Sequence, residues 1–139
     1  MVITRQIALH TRGNGDIADI TGEVAKAVAA SEISSGTVTV FIAGSTAGVT
    51  TVEYEPGLLA DLQELWERIA PSDIEYQHNR RWHDGNGHSH VRASLLGASL
   101  TVPFEKKSLI LGTWQQIVVV DFDNRARSRQ VILQLMGDN

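Results

Sequence analysis

The sequence predicts one α+β domain, residues 1–139, with a largely antiparallel sheet and two main helices. Three observations support this fold class. Several short segments are rich in Val, Ile and Thr or alternate in hydropathy, which is typical of strands. Two segments carry apolar residues at helical spacing. No linker, repeat or low-complexity stretch divides the 139 residues, a length typical of one domain.

The N-terminal third predicts two strands and a helix. Residues 3–10 alternate between apolar and polar side chains, as a half-buried strand does. After a break at residues 12–15, we expect Asp16 to cap a helix, because aspartate is a favoured capping residue. Residues 37–42, TVTVFI, are β-branched and apolar and predict the next strand. The apolar face of the helix would carry Ile17, Ile20, Val24, Ala27 and Val28.

The middle of the chain predicts a turn followed by a long helix. Residues 43–51 are rich in Gly, Ser and Thr, and a strand is expected to resume at residues 50–53. Pro56 opens the helix, because the missing N–H of proline costs nothing at the first helical position, and Pro71 closes it. The stripe of this helix that ends in Trp66 is expected to belong to the core. The apolar face as a whole carries Leu58, Leu59, Leu62, Leu65, Trp66 and Ile69.

The C-terminal half predicts strands after an irregular segment. Residues 72–97 show no clean period and receive no predicted element. Residues 99–103 and 109–111 predict short strands. Residues 114–122 and 131–136 are long runs rich in Val, Ile and Leu, as expected for strands that are covered on both faces.

Composition excludes several classes of protein. The formal net charge of −4 argues against general nucleic-acid binding, which depends on Lys and Arg neutralising phosphates. The chain has no cysteine, so it can form neither a disulfide framework nor a thiolate zinc site. No apolar run approaches the roughly 20 residues that span a bilayer, and the first residues do not resemble a signal peptide. We therefore expect a cytoplasmic protein with no membrane association.

A cluster of histidines is the strongest candidate site. Four of the five histidines fall within 13 residues, and Asp84 and Asn86 lie among them. Neutral imidazole and carboxylate groups are common ligands of divalent metals, so we expect Zn²⁺ or Mg²⁺, or one shared active site, at this cluster. The alternative is a polar loop whose histidines only form hydrogen bonds, since the spacing matches no strict zinc template. The histidines are His78, His83, His88 and His90.

The hydroxyl-rich loop after the TVTVFI strand is a candidate phosphate site. Ser45 and Thr46 offer hydroxyl groups, and the small residues around them leave backbone N–H groups accessible. The loop is not a P-loop, because the required lysine and glycine spacing are absent. The alternative is a tight turn between strands that binds nothing.

Three more polar residues are candidates. Glu53 offers a carboxylate to Mg²⁺, although most such acids are simply solvated. Gln115, before the most apolar strand, is expected to point its amide into a cleft. Arg129 would grip a phosphate or carboxylate with its planar guanidinium group. An ion pair with Asp121 or Asp123 is the equally weighted alternative for this arginine.

Three long stretches resemble a known family in their order and spacing. They are AGSTAGVTTVEYEPG, WHDGNGHSHVRASLLGASLTVPF and LGTWQQIVVVDFDNRARSRQVILQLMG, and the family that they resemble is YjbQ-like. The resemblance covers nearly the full length and implies a compact homotrimer with an α+β fold built on antiparallel sheet. The name secondary thiamine-phosphate synthase, often attached to the family, implies a transfer that joins a pyrimidine pyrophosphate to a thiazole phosphate and releases pyrophosphate.

The resemblance also points to particular residues. Many members carry three histidines, the first of which opens the hydroxyl-rich loop. Gly44 stands at that place here, so one expected ligand is missing. His83 and His88 are extra relative to those members. The polar positions of the family fall on Glu53, His78, Asp84, His90 and Gln115, with Arg129 near the end.

These features lead to one functional hypothesis with two alternatives. The hypothesis is a small-molecule enzyme that acts on a phosphorylated substrate at a His/Asp/Glu metal site, with a transfer like that of thiamine-phosphate synthase. The alternatives are a metal-dependent hydrolase and a non-catalytic trimeric protein that binds a metal or ligand. The roles expected are catalysis for Asp84, Glu53 and Gln115, ligand binding for Ser45, Thr46, Asn86 and Arg129, and metal binding for His78, His83, His88 and His90.

Overall fold

Two antiparallel sheets and four helices form the computed structural model, which describes residues 1–139. The strands are β1 (Val2–Thr11), β2 (Asp16–Asp19), β3 (Ser35–Ile42), β4 (Ala47–Val52), β5 (Ser99–Glu105), β6 (Ser108–Leu109), β7 (Gln116–Asp121) and β8 (Arg127–Asp138). The helices are α1 (Thr21–Ala30), α2 (Pro56–Ile69), α3 (Gln77–Trp82) and α4 (Gly87–Leu96).

The larger sheet has five strands in the order β1-β8-β3-β5-β6, and the smaller has three in the order β2-β7-β4. Alternation in β1, β3 and β8 places one set of side chains inward, since successive residues of a strand face opposite sides. Val38, Leu135 and Ile3 are directly opposite one another in this sheet and all face inward. In β7 the apolar run from Ile117 to Val120 is instead buried on both faces, between β2 and β4.

Two apolar clusters hold the layers together. The larger contains 16 buried residues from both sheets and α1, including Val40, Val119 and Val24. The smaller contains six and joins the second sheet to α2 and α4. At its centre Trp66 meets Phe122 edge to face, with ring centroids 5.0 Å apart. The smaller cluster therefore fixes α4, and with it one side of the histidine cluster.

The structure confirms the predicted α+β class and its antiparallel sheet. The predicted strands at residues 3–10, 37–42, 99–103 and 131–136 all lie within observed strands. None of the helices combines the length and apolar composition that crossing a bilayer requires.

The expectation that Asp16 caps a helix was wrong. Residues 16–19 form β2, which pairs with β7, and the helix begins at Thr21. The Asp19 carboxylate accepts hydrogen bonds from the backbone N–H and the hydroxyl of Thr21, at 2.9 and 2.6 Å. Ile17 and Ile20 are buried as expected, but the sheet buries Ile17, which is why helical spacing misplaced this boundary.

The second helix begins at Pro56 as predicted, but its apolar face is only partly in the core. Trp66 is its one buried residue, while Leu65 and Ile69 are 38% and 48% exposed. The surface of α2 that packs against the sheet is narrower than the apolar face of this helix. The expectation that the stripe ending in Trp66 belongs to the core was therefore wrong for Leu65.

Sequence reasoning missed α3 and α4, which fill much of residues 72–97. The pattern of burial in α4 is the reverse of that in an ordinary amphipathic helix. Val91 and Leu95 are exposed, whereas His88, Ser89 and Arg92 are buried. A search for apolar periodicity cannot detect a helix that buries its polar side chains.

Candidate functional site

The close approach of α3 and α4 positions the histidine cluster. His83 ends α3 in the left-handed conformation, with φ of 59°, and turns the chain back toward α4. The backbone N–H of Gly87 donates to the Asn79 side chain at 2.8 Å. A Cβ atom on Gly87 would lie 2.5 Å from Cβ of Tyr76, so only glycine permits this contact between the helices.

His78 of α3 and His90 of α4 come together at this contact. Their ring centroids are 4.2 Å apart and the rings are inclined by 36°. Asp84 Oδ1 lies 3.5 Å from His78 Nδ1, close enough for an ion pair. The two atoms form no hydrogen bond, and Nδ1 is buried without a partner. A buried ring nitrogen without a partner is unusual in a folded protein and is a candidate position for a ligand.

His90 is held in its neutral form. Burial lowers its pKa, and the neighbouring His78 lowers it further, against the opposing effects of Asp84 and Asp123. A neutral imidazole carries a free lone pair at physiological pH, which is the form that accepts a proton or binds a metal. The pair of rings therefore has the chemistry of a base or a ligand.

His83 and His88 do not join this pair. His88 and His90 are two residues apart on α4 and so lie on different sides of the helix. His88 is 7% exposed and packs against Tyr76, and burial followed by Arg92 lowers its pKa. His83 is exposed at the end of α3. No group of three or more His, Asp or Glu side chains is close enough to hold a metal ion in this structure.

A buried ion pair underlies the hydroxyl-rich loop. Arg129 donates from Nε and Nη2 to the two carboxylate oxygens of Asp121, at 2.8 and 2.9 Å. Thr46 accepts from Nη2 of the same arginine at 2.6 Å and donates to Asp123 at 3.1 Å. Thr11 donates to Asp121 at 2.6 Å. Thr46 and Arg129 were both expected to bind a ligand. Instead, the Thr46 hydroxyl and Nε and Nη2 of Arg129 form hydrogen bonds with each other and with the two aspartates.

The two aspartates remain ionised in spite of their burial. Burial acts to raise the pKa of Asp121, but the hydrogen bonds from Arg129 and Thr11 outweigh it and the pKa is lowered. For Asp123, burial is outweighed in the same way by hydrogen bonds led by that of Asn86. Fully paired charges of this kind are the ones that a protein interior tolerates.

The ion pair is connected to the histidine cluster. Asn86 donates to Asp123 at 3.2 Å, and Asn124 donates to the backbone oxygen of Asp84 at 2.9 Å. These bonds tie the loop before α4 to the end of β7. The Asn86 side-chain oxygen is buried and has no partner, so this amide also retains a free acceptor.

The remaining candidates lie apart from the histidine pair. Gln115 bonds to Thr51 at 3.1 Å and to the Gly112 N–H at 3.0 Å, and it lines a separate cavity of about 350 Å³. Glu53 is exposed, and its carboxylate forms no hydrogen bond or ion pair. Ser45 is exposed and lines another cavity, of about 260 Å³. The structure thus brings together His78, Asp84 and His90, with Asn86 beside them.

Sequence reasoning recognised Asp121 and Asp123 only as alternative partners of Arg129, and it missed Thr11. The sequence did contain one indication of a buried ion pair. Asp121 directly follows the apolar run IVVV, and all four of those side chains are buried. A carboxylate in that position needs a buried cation, and the sequence offers few.

Known proteins resemble this chain over nearly its whole length. The sequence model of the family UPF0047 protein YjbQ-like matches residues 5–138. A UPF0047 protein from Archaeoglobus fulgidus is 37% identical over 131 residues, which cover 94% of this chain and 99% of that protein. A second, from Methanothermobacter thermautotrophicus, is 37% identical over 136 residues, covering 98% of this chain and 93% of the relative.

Solved structures agree with these sequence relatives. A YbjQ-like protein of unknown function from Sulfolobus solfataricus P2 superimposes with a TM-score of 0.93 at 30% identity, covering 99% of each chain. A member of the yjbq/upf0047 family from Clostridium acetobutylicum gives a TM-score of 0.86 at 34% identity, covering 95% of this chain and 99% of the other. The chain belongs to the UPF0047 YjbQ-like family.

Proposed function

We propose that the protein is a small-molecule enzyme whose centre is the group His78, Asp84 and His90, and that its substrate is a phosphorylated compound. The observation that supports this most directly is the contact of two imidazole rings, 4.2 Å apart, beside a carboxylate. One ring nitrogen in this group is buried and free of hydrogen bonds. Such concentrations of titratable groups are typical of active sites.

A divalent cation, Zn²⁺ or Mg²⁺, is the cofactor in this proposal. The chemical type of the donor groups suits such an ion, because His78 offers a buried ring nitrogen without a hydrogen bond and the pKa of His90 favours its neutral form. They are too few to enclose it, since no group of three ligands converges. His78 and His90 would hold the ion beside Asp84, and water or substrate would complete its shell. A bound ion would stabilise negative charge on phosphate oxygens and lower the pKa of a bound water.

The residues of the chain supply the rest. His90 would offer its one free lone pair to the ion, because its neutral form predominates. Asp84 keeps the His78 ring oriented from 3.5 Å. Asn86 fixes the start of α4 through Asp123. The reaction proposed is a transfer with release of pyrophosphate, like that of thiamine-phosphate synthase.

Metal binding is tested by calorimetry with Zn²⁺ and Mg²⁺ on the wild type, on His90→Ala and on His83→Ala. His83 is a matched control, because it belongs to the same sequence cluster but is exposed and is not part of the ring pair. We expect His90→Ala to abolish binding and His83→Ala to leave it unchanged. Equal affinities in all three proteins would overturn the metal assignment.

Activity is tested by supplying the pyrimidine pyrophosphate and the thiazole phosphate with each metal. Product formed by the wild type and lost in His90→Ala supports the transfer. Turnover of phosphate esters alone, abolished by chelation, would replace the transfer with the hydrolase alternative. Tight, stoichiometric metal binding without any turnover would reject the enzyme and leave a binding protein.

A homotrimer is part of the same proposal. The outward face of the larger sheet carries no Asp, Glu, Lys or Arg over most of its area, and charged residues appear only at one end, at Glu105 and Asp138. Depletion of charge is typical of buried interfaces. The uncharged positions are Val2, Thr4, Gln6, Ala8, His10, Ser35, Thr37, Thr39, Phe41, Ser99, Thr101, Pro103, Ser108, Ser128, Gln130, Ile132, Gln134 and Met136.

The oligomer is tested by light scattering after size-exclusion chromatography. The wild type should have three times the mass of the chain, and Phe41→Arg should dissociate it, because Phe41 is 42% exposed within the uncharged face. Ile74→Arg changes an apolar residue that is 50% exposed and lies outside that face, and it should leave the trimer intact. A monomeric wild type would contradict this part of the proposal.

A further inference from the structure

Arg129 has one terminal nitrogen that its ion pair does not use. Nε and Nη2 donate to Asp121 and Thr46, whereas Nη1 has no hydrogen-bond partner in the protein. The residue is only 4% exposed, yet Nη1 is not among the buried polar atoms that are sealed from solvent. A guanidinium nitrogen in this state presents two N–H donors, with a delocalised positive charge, to a single opening.

Gly44 forms that opening. Its φ of 130° belongs to a region that side chains rarely adopt. A Cβ atom added there would lie 2.7 Å from Arg129 Nη1, and the only other atom within 4 Å of it, apart from its chain neighbours, is Cζ of the same arginine. The space where a side chain would stand is therefore open, and the guanidinium group bounds it. We call this space the Gly44 niche.

The niche adjoins a cavity that is bordered by α4. Gly44 and Ser45 line a cavity of about 260 Å³, whose opposite wall is the C-terminal part of α4, including Ser94. Ser94 lies one turn after His90 and donates from Oγ to the His90 backbone oxygen at 2.7 Å. Residues four apart share one face of a helix. The same face of α4 thus carries His90 and borders the cavity beside Gly44.

We propose that the Gly44 niche binds a small oxyanion, a phosphate or carboxylate group, through Arg129 Nη1. Charge-assisted donors of this kind prefer an ionised oxygen, and the Ser45 hydroxyl is available in the adjoining cavity. The surrounding charges are balanced, because Arg129 and Arg127 pair with Asp121 and Asp123. A small anion in the niche is therefore not repelled by an excess of carboxylate groups. This inference rests on the proposed function only in naming the anion as part of its substrate.

The test is a titration of the full-length protein with inorganic phosphate, and separately with acetate, in the absence of added metal. Backbone ¹H–¹⁵N NMR signals report the position of binding. We expect phosphate to shift the signals of Gly44 and Ser45, and Gly44→Ala to weaken binding by at least about tenfold because its methyl group fills the niche. Stronger binding of acetate than of phosphate would identify a carboxylate as the ligand.

Gly97→Ala is the matched control for backbone strain. Gly97 also has a positive φ, of 93°, and lines the same cavity, but a Cβ atom there would meet nothing within 4 Å. This variant should bind phosphate as the wild type does. The proposal is overturned if neither anion shifts Gly44 and Ser45, or if Gly44→Ala binds as well as Gly97→Ala.

His90→Ala separates this inference from the proposed function. It should lose metal binding and turnover but retain phosphate binding at the niche. If the wild type still binds metal and converts substrate but does not bind phosphate, the proposal for the Gly44 niche is rejected and the proposed function is not.

Discussion

His78 and His90 stack at 4.2 Å although they belong to different helices. The contact depends on Gly87, which opens α4 where Tyr76 leaves no room for a Cβ atom. The site is therefore built by helix packing, and changes that separate α3 from α4 should affect stability and binding together.

Gly87→Ala should destabilise the protein by about 1–3 kcal/mol, because the added methyl group would lie 2.5 Å from Tyr76 Cβ. The better helix propensity of alanine offsets only roughly 1 kcal/mol of this loss. Gly22→Ala is the control, since a Cβ at Gly22 in α1 meets nothing within 4 Å. Urea unfolding should show a loss for the first variant alone. Equal stability of the two variants would argue against tight packing at Gly87.

Trp66→Ala and Leu65→Ala should differ widely although the residues are neighbours on α2. Trp66 is 6% exposed and packs against Phe122, so its truncation should cost about 3–5 kcal/mol. Leu65 is 38% exposed, and we expect a change within about 1 kcal/mol. Thermal unfolding compares them. Similar losses would mean that Leu65 is covered by another surface in solution.

Thr11→Val should weaken the ion-pair network without changing side-chain shape. Thr11 donates to the buried carboxylate of Asp121 at 2.6 Å, and a hydrogen bond to a charged group is worth about 1.5–3 kcal/mol. Thr113→Val is the control, because Thr113 is exposed, lies outside the proposed trimer face and makes no side-chain hydrogen bond. Denaturation should show the larger loss for Thr11→Val. The reverse order would contradict the role assigned to Thr11.

Acid should destabilise the protein through Asp121 and Asp123. Folding lowers the pKa of both groups from the ordinary value of 3.8, so the unfolded chain takes up protons first as the pH falls. Their contribution to stability is therefore complete above that value and is lost as the pH drops through the lower folded pKa values. Urea unfolding between neutral pH and pH 3 measures the loss. Asp123→Asn should reduce this pH dependence, and an unchanged slope would show that Asp123 is not its source.

Residues next to one another in sequence were predicted best. The strands at residues 3–10 and 131–136 followed from alternation and from β-branched runs, because local side-chain direction has a period of two in any strand. The cluster around Asp84 and His90 was found because its members are close in the chain. Helix α4 was missed because it buries Arg92 and exposes Leu95, which no rule of hydropathy anticipates.

The sequence by itself determined the α+β class, the start of the second helix at Pro56 and the general place of the polar site. Only the tertiary structure decided which histidines meet, because His78 and His90 approach through the packing of two helices while His88 turns to the other side. It also decided that Arg129 satisfies Asp121 and leaves one nitrogen free beside Gly44. Pairing across the sheets and between helices brings together residues that are far apart in the chain, and local periodicity carries no information about such contacts.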